Sequence, residues 1–269
     1  MILSRSVRKR FLACAFLLAG LWLALGARIA MLGDTQGNAS VHAEVAALIA
    51  AQNPQIAFHL GDLTSKGSKQ SHYDSFFQTA APLTSVCPLY PARGNHDRSL
   101  ELWLANFPTM GGSSYYAVEH DSLLFLVLDS NLDLTPGSEQ DAWLRRQLAS
   151  EPSLPRLVIL HRPIFSGGYH GGDEDLQLLL PALFADSGVV AVFSGHDHNY
   201  ERSEYRGVSY FVSGGAGGLI RPGFSCNPYS QVFANTRNYL ILDRQGRSLL
   251  CTAYDLDGQV LDSVLLPLP

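Results

Sequence analysis

FSGHDHNYER, residues 193–202, contains two histidines two positions apart, directly after an apolar run. In an extended chain the side chains at positions i and i+2 lie on the same face, so His196 and His198 can point at one site where a strand ends. Imidazoles paired in this way are suited to binding a metal ion. Four further polar clusters interrupt apolar runs upstream, in the order Gly33-Asp34-Thr35-Gln36, Gly61-Asp62, Gly94-Asn95-His96-Asp97 and Leu160-His161-Arg162-Pro163.

Short β-rich runs alternate with helical patterns between residues 28 and 200. This order predicts βαβ units and therefore an α/β fold with a sheet that is at least partly parallel. The predicted strands cover residues 28–33, 55–60, 89–93, 123–128, 157–160 and 189–193, and the predicted helices cover 41–51, 139–149 and about 176–184. After Tyr205 strands and turns predominate, which predicts antiparallel strands at 208–212, 239–243, 248–254 and 263–266.

Each polar cluster lies at or just beyond the carboxyl end of a predicted strand, at Asp34, Asp62, Asn95, His161 and His196. In an open α/β sheet these strand ends line the binding crevice. Each cluster alone has a structural explanation, such as a turn at a Gly-Asp pair or a hydrogen-bonded histidine in the core. Five such explanations would have to hold together, so the pattern favours a single functional site.

The predicted site contains carboxylate, carboxamide and imidazole groups but no thiolate. Such ligands suit hard or borderline ions, among them Mn, Fe and Zn. Two ions about 3.5–4 Å apart that share one carboxylate would stabilise both the attacking and the leaving oxygen of a phosphoryl displacement. Hydrolysis of a phosphoester is therefore the chemistry that these residues indicate. The seven candidate ligands, more than one tetrahedral ion requires, are Asp34, Gln36, Asp62, Asn95, His161, His196 and His198.

The chain has 269 residues and a formal net charge of −5, without an internal repeat or a low-complexity linker. This length is compatible with one large domain. Without the four cations Arg5, Arg8, Lys9 and Arg10, the balance is 15 basic against 24 acidic side chains, or −9. A domain with this net negative charge repels the phosphates of nucleic acids over most of its surface. No nucleic-acid partner is therefore expected.

The first 27 residues differ from the rest of the chain. A basic stretch is followed by residues 11–27, which carry no charge. This pattern predicts a signal peptide or an N-terminal membrane anchor, and hence an exported protein that is periplasmic, extracellular or attached to the membrane through residues 11–27. A buried core helix is the alternative, but the segment is apolar on all sides and preceded by four cations. We therefore divide the chain into residues 1–27 and a domain at residues 28–269.

Cysteine usage gives one further expectation. Cys14 lies in the N-terminal segment, and Cys87, Cys226 and Cys251 follow it. Cleavage of the segment would leave three cysteines, so at most one intramolecular disulfide is expected, between Cys226 and Cys251. No CxxC pair is present, which argues against a thiolate metal site or a redox motif.

The polar clusters resemble the five motif blocks of the calcineurin-like metallophosphoesterases. The matching residues are Asp34, Gly61-Asp62, Gly94-Asn95-His96-Asp97, His161 and Gly195-His196-Asp197-His198. The purple-acid-phosphatase-like branch is the most similar, because Asn199-Tyr200-Glu201-Arg202 extends the last block as it does in that branch. The resemblance spans about residues 28–218. It implies an αββα sandwich of two mixed sheets between helices, and a metallophosphoesterase domain over residues 28–269.

The resemblance also implies how the ligands divide between two metal ions. Asp62 would bridge both ions. The remaining ligands would be Asp34 with His198 at one ion, and Asn95, His161 and His196 at the other.

Catalytic and substrate-binding roles follow from the same resemblance. A hydroxide held by the metals would attack phosphorus, and Asp62 would serve catalysis as the bridge. His96 would neutralise or protonate the leaving oxygen. Asp97 is expected either to orient His96 or to cap the helix that follows. Asn95 and His170 are expected to contact the substrate.

Two positions depart from the family pattern. Gln36 stands where most of the family has a histidine and where the purple acid phosphatases have glycine. Its carbonyl oxygen can coordinate a hard ion weakly, or the side chain can support the ligands from behind. Ser65 occupies the place of the tyrosine that binds ferric iron in purple acid phosphatases. We therefore expect neither a purple colour nor a strict requirement for Fe(III).

Together these features favour an exported enzyme with a dinuclear metal centre that hydrolyses small phosphate monoesters, as acid phosphatases do. One alternative is a phosphodiesterase that acts on cyclic nucleotides, nucleotides or lipid headgroups. Another is a non-catalytic module that binds metal or phosphate. His96 argues against the module, because a binding protein has no need for a proton donor beside its metals.

Overall fold

The structure of the protein, a computed structural model, describes residues 26–150, 153–223 and 226–269. The predicted signal peptide or membrane anchor at residues 1–27 lies outside the described residues, apart from its last two positions. Among the residues described, no helix is both long enough and apolar enough to cross a bilayer.

The strands and helices follow one another in an alternating order over the first two thirds of the described chain. The strands are β1 (Arg28–Leu32), β2 (Ile56–His59), β3 (Leu89–Pro91), β4 (Tyr116–His120), β5 (Leu123–Val127), β6 (Arg156–Ile159), β7 (Val189–Ser194), β8 (Tyr200–Tyr205), β9 (Val208–Ser213), β10 (Ser230–Ala234), β11 (Tyr239–Gln245), β12 (Ser248–Tyr254) and β13 (Val260–Pro267). The helices are α1 (Ala39–Ala51), α2 (Gln70–Thr84), α3 (Leu100–Asn106), α4 (Glu139–Ser150), α5 (Glu174–Leu179) and α6 (Pro181–Asp186), with a 3-10 turn at Pro108–Met110.

The strands form two mixed sheets. The first has the order β13-β12-β11-β1-β2-β3, in which β1 to β3 are parallel and β11 to β13 are antiparallel. The second has the order β10-β8-β9-β7-β6-β5-β4, with β5, β6, β7 and β9 parallel and the other three antiparallel to their neighbours. The parallel strands of each sheet end on the same edge, which places the loops after them together.

Alternating side chains divide the two faces of each strand between two cores. On β1, Met31 enters the core between the sheets, whereas Leu32 packs with the apolar face of α1. Phe58 and Phe125 come from opposite sheets, and their ring centroids are 4.5 Å apart. Helices α4 to α6 cover the outer face of the second sheet. The layers are thus helix, sheet, sheet and helix, and the predicted αββα sandwich is confirmed.

Each strand predicted from the sequence is present, with shifts of a few residues at the ends. The predicted helix at about 176–184 is two short helices, because Pro181 has no backbone N–H to continue the hydrogen bonds of α5. Helix α2 was not predicted, since polar residues and Pro82 obscure its periodicity. The prediction also missed β4, β8 and β10, of which β4 and β10 are the edge strands of the second sheet.

The expected Cys226–Cys251 disulfide is wrong. Both cysteines are free, as is Cys87. Cys251 lies on β12 with its side chain in the core between the sheets, whereas Cys226 is exposed in the segment before β10. The two thiols therefore occupy different environments that the pattern of cysteines alone does not distinguish.

Candidate metal centre

Six predicted ligands meet where the carboxyl ends of the two sheets approach each other. The first sheet supplies Asp34 after β1, Asp62 after β2 and Asn95 after β3, and the second supplies His161 after β6 with His196 and His198 after β7. The backbone N–H of His196 donates to Asp34 Oδ2 at 2.8 Å, which joins two residues 162 positions apart. The sandwich therefore brings the five sequence clusters into one site, as predicted.

The backbone after the strands has an unusual conformation at three of these residues. Asp34, Asp62 and His196 have φ angles of 59°, 56° and 70°, in the left-handed region that non-glycine residues rarely adopt. Such conformations concentrate at functional sites. The glycine before Asp62 is also required by space, because a Cβ at Gly61 would lie 2.5 Å from Nδ1 of His161.

The ring of His161 is fixed by the backbone so that Nε2 faces the other ligands. Its Nδ1 lies 2.9 Å from the carbonyl oxygen of Leu60, which can only accept a hydrogen bond, so Nδ1 carries the proton. Nε2 then lies 3.0 Å from Asn95 Oδ1 and 3.4 Å from Asp62 Oδ1. A nitrogen lone pair that faces two oxygens in this way needs a proton or a metal ion between them.

His198 is oriented in the same manner. Its Nδ1 donates to the carbonyl oxygen of Leu219 at 2.7 Å, and Nε2 lies 3.6 Å from Asp34 Oδ1. Oδ1 of Asp34 is buried and has no hydrogen-bond partner among the described residues. A carboxylate oxygen in this position is costly to bury without a cation.

The donor atoms fit a metal ion. One oxygen each from Asp34 and Asp62 and a ring nitrogen of His161 lie within 4.8 Å of one another, and all three residues are buried. Carboxylates and imidazoles whose second nitrogen donates to a backbone carbonyl are a common arrangement at metal sites. The buried Asp34, Asp62 and His161 cluster could therefore hold a cofactor ion, with His198 beside it.

The electrostatics of the cluster agree with this donor set. Burial alone would raise the pKa of Asp62, but the charge and hydrogen bond of His161 bring it down to about 2. Burial opposes the charge on His161, but Asp62 and Asp34 outweigh it and raise the pKa of His161 to about 9. Burial and the charge of His161 lower the pKa of His196 to about 2, so its ring is neutral as a ligand must be. The carboxylates thus stabilise a positive charge on the His161 ring, and a metal ion bound at the same place can supply that charge instead.

Gln36 also enters the cluster, but through its amide nitrogen. Nε2 donates to Asp62 Oδ2 at 3.1 Å and lies 3.5 Å from Nε2 of His198. The carbonyl oxygen Oε1 is buried without a hydrogen-bond partner among the residues described. In this orientation Gln36 supports Asp62, and coordination through Oε1 would require the amide to turn by about 180°.

His96 borders the cluster on the loop after β3. Its Nδ1 donates to the carbonyl oxygen of Ser65 at 2.8 Å, and its Nε2 lies 3.9 Å from Asp62 Oδ2. The side chain is 41% exposed, so Nε2 is accessible to a substrate. Its backbone N–H separately donates to Asp62 Oδ1 at 2.7 Å.

Asp97 has neither of the roles expected for it. Its buried carboxylate accepts hydrogen bonds from the backbone N–H groups of Leu63, Thr64 and Gly94, not from the ring of His96. The N-cap of α3 is Ser99, whose side chain accepts from the backbone of Leu102. Burial and the nearby charge of Asp62 raise the pKa of Asp97 to about 7. Asp97 therefore joins the loop of Asp62 to the loop of Asn95.

His170 lies against the site on residues 166–171, here called the His170 loop. The centroid of the His170 ring is 4.5 Å from the centroid of the His196 ring. Asp197, buried between the two histidines of the motif, accepts from Ser166 Oγ at 2.5 Å and from the backbone of His170 at 2.7 Å. Burial and the charges of His198 and Arg221 lower the pKa of His170, against the opposing effect of Asp197. The structure thus places His170 at the site and shows that Asp197 holds its loop.

The side chains of β8 divide between two neighbouring parts of the fold. Glu201 accepts from the backbone of Gly167 at 2.6 Å and so supports the His170 loop. Tyr200 and Arg202 face the other way and bind Asp262, at 2.7 Å and 2.6 Å. Alternation along a strand predicts this division once β8 is recognised, but the charged sequence hid the strand.

A cavity of about 320 Å³ adjoins the site at Gln36 and Ser65. His42 and Phe76 also line it, and their rings stack at 5.2 Å between centroids. Burial lowers the pKa of His42 to about 4, so this ring is neutral. Ser65 thus borders this cavity and also contacts His96 through its carbonyl oxygen.

Comparison with known proteins places this arrangement in a family. Residues 27–200 match the family described as Calcineurin-like phosphoesterase. Purple acid phosphatase 18 of Arabidopsis thaliana is 32% identical over 170 residues, which cover 55% of this chain and 39% of that protein. Probable inactive purple acid phosphatase 27 of the same plant is 27% identical over 237 residues, which cover 68% of this chain and 38% of that protein.

A solved structure supports the fold. The purple acid phosphatase from yellow lupin (Lupinus luteus) seeds aligns with a TM-score of 0.73 at 21% identity, covering 90% of this chain and 53% of that one. The chain thus spans only 39% of the first curated relative and about half of the lupin chain. The family match extends over most of the described domain and includes the cluster from Asp34 to His198. The chain therefore belongs to the calcineurin-like phosphoesterase family, with purple acid phosphatases among its relatives.

Proposed function

We propose that the protein is an exported phosphomonoesterase with a dinuclear metal centre. The observation that carries this proposal is the orientation of two imidazoles. His161 and His198 both donate Nδ1–H to backbone carbonyls, so that their Nε2 atoms face the carboxylates of Asp62 and Asp34. Relatives include proteins named purple acid phosphatases, but some are named probable inactive, so activity has to be measured.

Asp62 is the residue best suited to serve two ions, because its oxygens face different neighbours. Oδ1 lies 3.4 Å from His161 Nε2, whereas Oδ2 accepts from Gln36, which in turn lies beside His198. The ions would be held by Asp34, Asp62 and His198 on one side and by Asp62, Asn95, His161 and His196 on the other. When bound, divalent ions such as Mn, Fe or Zn would supply Lewis-acid stabilisation of the phosphoryl oxygens and a nucleophile at neutral pH.

The imidazoles of His96 and His170 are placed to donate hydrogen bonds or a proton to a terminal phosphate. His96 Nδ1–H is held by the carbonyl of Ser65, so Nε2 is the ring nitrogen left to exchange a proton with a substrate. From there a proton can pass to the leaving oxygen. His170 adjoins the ligand His196 and can donate to a phosphate oxygen. Two imidazoles suit a monoester, whose several negative oxygens need donors in addition to the metals.

The experiment that tests this proposal is a paired assay of the full-length protein with Mn(II), Zn(II) or Fe(II). We expect a higher kcat/KM for p-nitrophenyl phosphate than for bis(p-nitrophenyl) phosphate, and loss of both activities after chelation. A preference for the diester would favour a phosphodiesterase instead. Bound metal without turnover of either substrate would indicate a binding module. Export is tested separately, by the N-terminal sequence and location of the protein in its own host.

Iron-loaded protein is expected to lack a tyrosinate-to-iron absorption band in the visible. Ser65 offers no phenolate, and Tyr73 is buried on α2 against Phe107, where burial and the charge of Asp97 raise the pKa of its hydroxyl. Activity should then be supported by divalent ions alone. The measurement is the visible spectrum of the iron-loaded protein beside that of Ser65→Tyr, in which the band should appear. A coloured parent protein that stays coloured in Tyr73→Phe would show that another tyrosine binds the metal.

A further inference from the structure

A cationic side chain that the site does not yet explain lies beyond His170. The guanidinium of Arg221 is 4.5 Å from the centroid of the Tyr169 ring. Tyr169 contacts His170, with 5.0 Å between ring centroids, and His170 contacts His196 at 4.5 Å. A continuous series of side-chain contacts therefore connects Arg221 to an expected metal ligand.

The backbone on both sides of Arg221 is tied to the site. Two residues earlier, the carbonyl of Leu219 accepts the hydrogen bond from Nδ1 of His198 at 2.7 Å. Two residues later, Gly223 packs against the His170 loop, where a Cβ would lie 2.6 Å from the carbonyl oxygen of Gly167. The position of Arg221 is thus fixed by a metal ligand on one side and by the His170 loop on the other.

The charge of Arg221 is available to an anion. The charges of two other arginines are offset by carboxylates, since Arg202 pairs with Asp262 at 2.6 Å and Arg162 with Asp173 at 3.5 Å. Arg221 is exposed, and among the described residues no carboxylate forms an ion pair with it. Stacking on Tyr169 leaves the N–H groups at the edge of the guanidinium free to donate.

We propose that Arg221 binds a second phosphate group, next to the phosphoryl group at the metal centre, and so adapts the enzyme to phosphoanhydrides such as nucleoside diphosphates. This inference rests on the proposed function. A guanidinium presents parallel N–H donors that match two oxygens of one phosphate. In ADP hydrolysis a water oxygen bonds to the terminal phosphorus. The bond from that phosphorus to the bridging oxygen breaks, its electron pair leaves with AMP, and a proton is released.

ADP and AMP form a matched pair of substrates for the test, because they share base and ribose and differ by one phosphate. In the metal-loaded full-length protein, Arg221→Gln should lower kcat/KM for ADP by about 10- to 100-fold, as expected for lost hydrogen bonds to a charged group. The loss for AMP should be at least about 10-fold smaller. Arg206→Gln is the control, because Arg206 also lies over a tyrosine, 5.8 Å from Tyr205, in the turn between β8 and β9.

Equal losses for ADP and AMP in Arg221→Gln, or no loss for ADP, would overturn the inference. If the parent protein hydrolyses none of ADP, AMP and p-nitrophenyl phosphate, the proposed function fails. The role of Arg221 is then still decided by the dissociation constants of ADP and AMP, measured by calorimetry. Weaker binding of ADP than in the parent, with AMP affected less and Arg206→Gln unchanged, would support a second phosphate site. An unchanged affinity for ADP would reject it.

Discussion

Asp62→Ala is expected to lose bound metal and turnover together, and to lose more of both than Gln36→Ala. Asp62 is the carboxylate that faces His161 with one oxygen and Gln36 with the other, so its removal takes a donor from both proposed ions. Within the described part of the chain, the Gln36 side chain contacts the cluster by donating to Asp62 and by lying beside His198. Residues that merely orient a ligand are worth about 10- to 100-fold in affinity or activity, and a shared ligand should exceed that range.

Metal content per chain and kcat/KM for p-nitrophenyl phosphate are the two measurements. Asp62→Asn accompanies the alanine variant because it keeps the side-chain volume and the acceptor for the N–H of His96 while removing the charge. Asp257→Ala, in the exposed turn between β12 and β13, is the matched control and should behave as the parent. Two metals per chain with near-parental turnover in both Asp62 variants would show that Asp62 is no bridge.

The sequence alone predicts the location of Asp62 but not the orientation of the Gln36 side chain. A glycine followed by an acidic residue at a strand end identified Asp62, because such ends converge in an α/β sandwich. The direction of the Gln36 amide depends on partners 26 and 162 positions away, Asp62 and His198, which no local pattern contains. The positions that meet at the strand ends were therefore predictable, whereas the atom that each polar side chain presents there was not.

The supporting carboxylates were harder to predict than the residues that meet at the strand ends. Asp97, Asp197 and Glu201 are buried and bind backbone N–H groups of loops that lie far from them in sequence. A motif such as GHDH shows that a carboxylate is present between two histidines, but not that it turns away to hold another loop. Alternation along an extended segment supplies that direction only when the strand and its neighbours are known.

The fold was predicted for a related reason. Strands β1 and β5 are buried on both faces between other layers. Their sequences are therefore continuous apolar runs, which strongly indicate a strand. The edge strands β4 and β10 have one exposed face, and α2 mixes polar residues with a proline, so their patterns are weak. Of the missed elements, α2, β4 and β10 carry none of the five polar clusters, so the meeting of these clusters could be predicted without them.

His96→Ala is expected to keep its metals and lose turnover by about 10²- to 10⁴-fold, the usual value of a general acid. The substitution removes the ring but leaves the backbone N–H that donates to Asp62, so the ligand arrangement should persist. The loss should be largest for an alkyl phosphate, whose leaving oxygen needs a proton, and smaller for p-nitrophenyl phosphate, whose leaving group departs as an anion.

His120→Ala is the control for this substitution, because His120 pairs with Leu123 at the end of β4 and β5 remote from the ligands. It should change neither metal content nor turnover. Equal losses for alkyl and p-nitrophenyl phosphates in His96→Ala would mean that the ring binds the phosphate or braces Ser65 and transfers no proton. Loss of metal together with turnover would move His96 from catalysis to the support of Asp62, because its Nε2 lies 3.9 Å from Oδ2 of that carboxylate.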